Sequence, residues 1–136
     1  MTQEKRKFED WLDYARKAKR VALLAHISPD GDTLGSTLAL RLAFLAMGKQ
    51  VDVICDGDVP DNLKFLTGSE SILHPEDVNG SDYDTAIAVD VSDRSLLGKS
   101  ETVFDAAGIR MVIDHHATNP AYGQVNFIRG GESACC

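Results

Sequence analysis

Five apolar residues in unbroken succession, Val21, Ala22, Leu23, Leu24 and Ala25, run straight into His26, and this junction constrains the fold class. A strand with one wet face alternates apolar and polar side chains, whereas an unbroken run of this length reads as a strand covered on both faces of a parallel sheet. The pattern recurs. Residues 86–90 and 110–114 also pass from apolar positions into ionisable ones, ending in Asp90 and in Asp114-His115-His116. Residues 51–55 and 125–128 complete a set of five predicted strands. Helical spacing is present at 3–19, where Phe8, Trp11, Leu12, Ala15 and Ala18 share a face, and at 33–47, ended by Gly48. A further helix is predicted over 99–107, closed by Gly108, and a short one starting at proline over 60–66. Residues 67–80 form a mixed connection broken by Gly68, Pro75 and Gly80. Strands alternating with helices imply β-α-β units with right-handed crossovers. The expected fold is α/β, with a mostly parallel five-stranded sheet flanked by helices, and ligands in such sheets bind at the carboxyl ends of the strands.

The chain has 136 residues, 43% of them hydrophobic, which is the size of one ordinary domain spanning 1–136. A core of that size needs neither disulfides nor a structural metal to fold. Fourteen Lys and Arg against twenty-one Asp and Glu leave a net charge of −7, the wrong sign for holding long nucleic acid by phosphate neutralisation. A small anionic substrate stays compatible if metal ions reverse the local field. The polar N-terminus lacks a secretory pattern, and the longest apolar stretch, 38–47, is broken by Arg41 and too short to span a bilayer, so the expectation is a cytoplasmic protein with no membrane partner. Three cysteines, two of them adjacent at Cys135 and Cys136, make no disulfide framework, and Cys55 reads as a small buried hydrophobe.

The segment His26-Ile27-Ser28-Pro29-Asp30-Gly31-Asp32 packs an imidazole and two carboxylates into one strand-to-helix loop. Read alone, it is equally well a polar turn in which Asp32 caps the helix opening at Thr33. The parallel topology adds company, because Asp90 and His115 end other strands at the same edge. Like charges about 4 Å apart repel by roughly 4 kcal/mol at an effective dielectric of 20, so such a cluster calls for counter-charge. Carboxylate and imidazole donors without thiolate point to Mn²⁺ or Mg²⁺ before Zn²⁺, and a bridging Asp suggests two ions. Two ions sharing a deprotonated water suit phosphoester hydrolysis. Serine-hydrolase elbows, phosphate-binding P-loops and dinucleotide fingerprints have no match in this chain.

His26-Ile-Ser-Pro-Asp30-Gly31-Asp32-Thr-Leu-Gly35-Ser36, then Asp90-Val-Ser-Asp93, then Ile113-Asp114-His115-His116 with Asn119 following, resembles the first three motifs of the DHH phosphoesterases. Within that family it is most similar to the nanoRNase-like branch of oligoribonucleases that also remove the 3′-phosphate of phosphoadenosine phosphate. The resemblance implies a Rossmann-like DHH N-terminal domain. It makes His26 and Asp30 ligands of one Mn²⁺, Asp32 and His115 ligands of the other, and Asp90 a bridge to both. It places His116 on the substrate phosphate, with Asp114 orienting the histidine beside it, and gives Gly31, Gly35 and Ser36 a close approach to phosphate. The substrate it implies is a small nucleotide or a very short oligonucleotide, and a homodimer is compatible with it.

The family's fourth motif, whose Asp completes the second metal site, and its carboxy-terminal substrate-binding domain have no counterpart here, so an incomplete domain is expected, with a helix opening near Glu132. Three alternatives stay open: a non-catalytic remnant that binds metal or nucleotide, a cyclic-dinucleotide phosphodiesterase, and an inorganic pyrophosphatase. A metal-free scaffold ranks last. Asp93 reads as a turn cap, Asp56 and Asp58 as turn residues around Gly57, and Arg94 as a doubtful stand-in for an arginine that many relatives carry shortly before the position of Gly98.

Overall fold

A computed structural model describes residues 2–136. Helix α1 (Gln3–Lys17) leads into strand β1 (Arg20–Leu24), helix α2 (Gly31–Ala46) and strand β2 (Gln50–Ile54). After a run of short 3₁₀ turns come β3 (Thr85–Val89), α3 (Glu101–Ala106), β4 (Ile109–Asp114) and β5 (Val125–Ile128). The sheet order is β2-β1-β3-β4-β5, and each neighbouring pair is parallel. The five-stranded α/β expectation therefore holds, with every pairing parallel. Among the described residues no helix is long and apolar enough to cross a membrane.

The unbroken apolar runs are explained by burial on both faces. On one side Ala22, Leu24, Ala86, Ala88 and Val112 pack with Val103 and Phe104 of α3. On the other, Val21, Leu23, Ile87, Val89 and Met111 pack with Trp11 and Ala15 of α1 and with Leu38 and Phe44 of α2. Each fully buried Leu, Ile or Phe contributes about 1.5–3 kcal/mol of transfer free energy, which fixes the register of a strand covered twice.

Element boundaries differ from the sequence expectation where local hydrogen bonds decide them. Helix α2 opens at Gly31, two residues early, because the N-cap is Asp30, whose carboxylate accepts the Thr33 N–H at 2.9 Å; Asp32 lies in the first turn and does not cap. Gly48 ends it in the left-handed conformation as expected, at φ 78°. The proline-led helix shrinks to a 3₁₀ turn, Asp61–Leu63. The helix expected over 99–107 is α3, shortened to Glu101–Ala106, and a 3₁₀ segment, Arg94–Ser100, precedes it and kinks at Gly98, which takes φ 58° and ψ −136°. No other residue fits there, since a Cβ at Gly98 would meet a carboxylate oxygen of Asp56 at 2.4 Å. Residues 132–136 are not helical. An opening turn at Glu132 could close one i to i+4 bond, to the Cys136 N–H, and that N–H is donated to Asp32 instead.

Candidate metal centre

The carboxyl edge is stitched together before any functional group is considered. Thr33, fully buried in the first turn of α2, donates its hydroxyl to the Val89 carbonyl at 2.9 Å and accepts the His26 N–H at 3.3 Å. The ends of β1 and β3 are thereby locked to the start of α2. Asp90 follows β3 directly, with its N–H bonded to the Ile113 carbonyl and its backbone at φ 61°. Asp is one of the few side chains that tolerate this left-handed region.

Four side chains at this edge, Asp90, Asp114, His115 and His116, bring ligand atoms within 4.8 Å of one another. They divide by what else holds them. Asp114 is enclosed and satisfied: His116 Nδ1 donates to it at 2.7 Å and the Asn119 amide at 2.8 Å. Its role is orientation, and the histidine it orients is His116, whose Nε2 is left unengaged by this pair and whose side chain is 41% exposed. His115 is held differently. Its Nδ1 lies 2.9 Å from the Glu132 carbonyl, an oxygen that can only accept, so Nδ1 carries a proton. A neutral His115 then presents a bare Nε2 lone pair, 3.0 Å from one carboxylate oxygen of Asp90 and 3.3 Å from Asp32.

That Asp90 oxygen is buried and makes no hydrogen bond. Two lone pairs 3.0 Å apart repel unless a proton or a cation sits between them. Burial, reinforced by the charge of Asp32 and opposed by that of His115, pushes the Asp90 carboxyl up to about 6. The Glu132 carbonyl, with the charges of Asp90 and Asp32 and against burial, raises the His115 imidazole. Burial works to raise Asp32 too, but the N–H groups of Cys135 and Cys136, the Cys136 side chain and the charge of His115 outweigh it and hold the carboxyl below its ordinary value. The free polar atoms facing one another are carboxylate oxygen and imidazole nitrogen, a donor set that fits a hard divalent cation. Cys135 Sγ turns to the Ile113 carbonyl, and Cys136 Sγ to Ser36 and the main-chain carbonyl of Asp32.

Of the residues named from sequence, the structure brings Asp90, Asp114, His115 and His116 together, with Asp32 3.3 Å from His115 Nε2. His26 and Asp30 stand outside that group, on the adjoining loop after β1. The charge of Asp30 still reaches Asp90, while one of its oxygens caps α2. His26 accepts the Ser28 N–H on Nδ1 at 2.9 Å, so its neutral ring is protonated on Nε2 and must give up that bond to offer Nε2 to a cation. Ser36 is buried and turned toward Asp32, 3.4 Å away. Gly31 and Gly35 have only ordinary contacts around a notional Cβ, Leu63 at 3.9 Å and Cys136 at 3.5 Å, so crowding within the chain does not explain either glycine. Arg94 is tied to Glu101 and Asp105. Asp93 caps its turn by accepting the Ser95 N–H, as expected. Sequence reasoning missed the main-chain groups of Glu132, Cys135 and Cys136, which carry no residue-type signature.

Residues 20–136 match the model of the DHH family, N-terminal domain. The bifunctional oligoribonuclease and PAP phosphatase NrnA of Thermus thermophilus is 30% identical over 114 residues, which cover 84% of this chain and 33% of that protein. The crystal structure of an exopolyphosphatase-related protein from Bacteroides fragilis superposes with a TM-score of 0.88 at 23% identity, covering 99% of this chain and 42% of that one. The chain thus spans about a third of the length of the curated relative it matches. With the match running from β1 through β5 and the Asp and His residues gathered at the carboxyl edge, the chain belongs to the DHH family, as its N-terminal domain.

Proposed function

We propose that this domain binds Mn²⁺, with Mg²⁺ as the alternative ion, and serves the hydrolysis of a phosphoester in a small nucleotide or very short oligonucleotide. The observation that carries the reading is the unbonded, buried oxygen of Asp90 facing His115 Nε2 at 3.0 Å. His26 and Asp30 would hold one ion, Asp32 and His115 the other, and Asp90 both. Bound there, the ions supply positive charge to phosphoryl oxygens and make a neighbouring water more acidic. The chain's own residues do the rest. Asp114 holds His116 through Nδ1, which leaves Nε2 of this partly exposed side chain free of that bond and able to donate to a phosphate oxygen when protonated. The activity named for the Thermus relative, oligoribonuclease and PAP phosphatase, supports this substrate class over other phosphoesters.

Calorimetry with Mn²⁺, together with hydrolysis of a diribonucleotide and of phosphoadenosine phosphate, tests the reading. Mn²⁺ binding is expected of this domain, and two ions with turnover of either substrate are expected of a longer chain that carries the fourth motif. One ion and no turnover in that longer chain would make this a binding domain, and no ion at all would reject the proposal.

A further inference from the structure

Two of the groups proposed as ligands, Asp32 in α2 and His115 after β4, come from distant parts of the chain, yet one five-residue stretch grips both. The Glu132 carbonyl accepts His115 Nδ1–H at 2.9 Å. Three residues on, the Cys135 N–H lies 3.0 and 2.8 Å from the two oxygens of Asp32, and the Cys136 N–H lies 3.0 Å from the first of them. We infer that the main chain of residues 132–136 is the positioning element of the metal centre: it sets the tautomer of His115 and the orientation of Asp32 together. The inference rests on the cation reading of the site.

The stretch has the anchors such a role needs. Glu132 pairs with Arg129 at 2.9 Å, Cys135 packs against the core face that holds Leu38, Val89 and Met111, and Cys136 Sγ reaches Ser36 at 3.1 Å. A proton held on Nδ1 leaves Nε2 as the only ring atom able to bind a cation, and Nε2 is the atom that faces Asp32 and Asp90. Partners that orient ligands in this way typically govern metal affinity by 10–100-fold. The Cys135 thiol turns away to the Ile113 carbonyl, so at that position the amide hydrogen should matter and the sulfur should not.

Proline lacks the N–H, and alanine keeps it while removing the sulfur. Cys135→Pro is expected to weaken Mn²⁺ binding roughly 10–100-fold, and Cys135→Ala to change it by less than about threefold. Equal losses in both variants, or no loss in Cys135→Pro, would overturn the inference. Thermal unfolding without metal shows whether Cys135→Pro folds. If it does not, Cys136→Pro, which removes one N–H bond to Asp32 together with the Sγ contacts, is compared with Cys136→Ala, which removes the sulfur alone, and is expected to give a smaller loss of the same sign beyond that of Cys136→Ala. Nitrogen NMR of His115 in the unsubstituted, metal-free protein reads the geometry independently. At a pH where the ring is neutral, the proton is expected on Nδ1, and a proton on Nε2 would overturn the inference. Absence of Mn²⁺ binding by the unsubstituted protein would instead strike the proposed function, leaving the tautomer measurement to decide this one.

Discussion

Asp84 and Asp90 bracket the same strand, β3, and their surroundings are opposite. At the amino end, Asp84 accepts the N–H groups of Lys19 and Arg20 and the Thr85 hydroxyl, tying β1 to β3 where the chain enters the sheet. At the carboxyl end, Asp90 is buried in a left-handed backbone conformation with one oxygen unbonded. Burial works to raise Asp84 as well, but its hydrogen bonds win and its carboxyl sits below the ordinary value, whereas Asp90 is pushed up to about 6. One aspartate has its charge met by the donors of the fold; the other keeps a buried oxygen with no hydrogen bond. Asp114 sharpens the contrast, because it is as buried as Asp90 and yet has donors for both oxygens. Burial alone therefore does not set Asp90 apart. Missing donors do.

The largest stability effect should come from Asp90→Asn in metal-free protein. Asparagine keeps the left-handed backbone accessible and removes the charge. In the folded chain Asp90 ionises near 6 against an ordinary 3.8, so wild-type stability falls as pH rises through that window and then levels. Two units correspond to about 3 kcal/mol as an upper bound, and the variant should be more stable than wild type by up to that amount at neutral pH, by urea unfolding. Equal stability above pH 6 would mean that Asp90 is already satisfied. Next, Asn119→Ala should cost roughly 2 kcal/mol, because it strips a donor from the enclosed Asp114. Smallest is Asp84→Ala, about 1 kcal/mol, since the N–H groups it releases lie near water. Its pH dependence has the reverse sign: a depressed carboxyl stabilises the fold above its ordinary value, and the contribution vanishes as pH falls through the folded one. Opposite slopes for the Asp84 and Asp90 variants would confirm the contrast, and parallel slopes would dissolve it.

Much of the fold was legible because doubly buried strands leave an unmistakable apolar run, as in β1 and β3. Parallel topology set His26, Asp30, Asp32, Asp90 and His115 at one edge, and the structure draws Asp32, Asp90 and His115 together while His26 and Asp30 stay on the adjoining loop. What escaped was local. Whether Asp30 or Asp32 caps α2 turns on one hydrogen bond to Thr33, and either residue satisfies the same composition rule. The kink at Gly98, just before the expected helix, has a cause visible only once Asp56 lies beside it. The grip of residues 132–136 on Asp32 and His115 uses backbone atoms, which every sequence possesses.

The most direct measurement is a calorimetric titration of Mn²⁺ into wild type and Asp90→Asn under identical buffer. Saturable binding by wild type, weakened at least about 100-fold in the variant, is expected if the unbonded oxygen of Asp90 exists to meet a cation. Equal binding by the two proteins, or none by wild type, would contradict it.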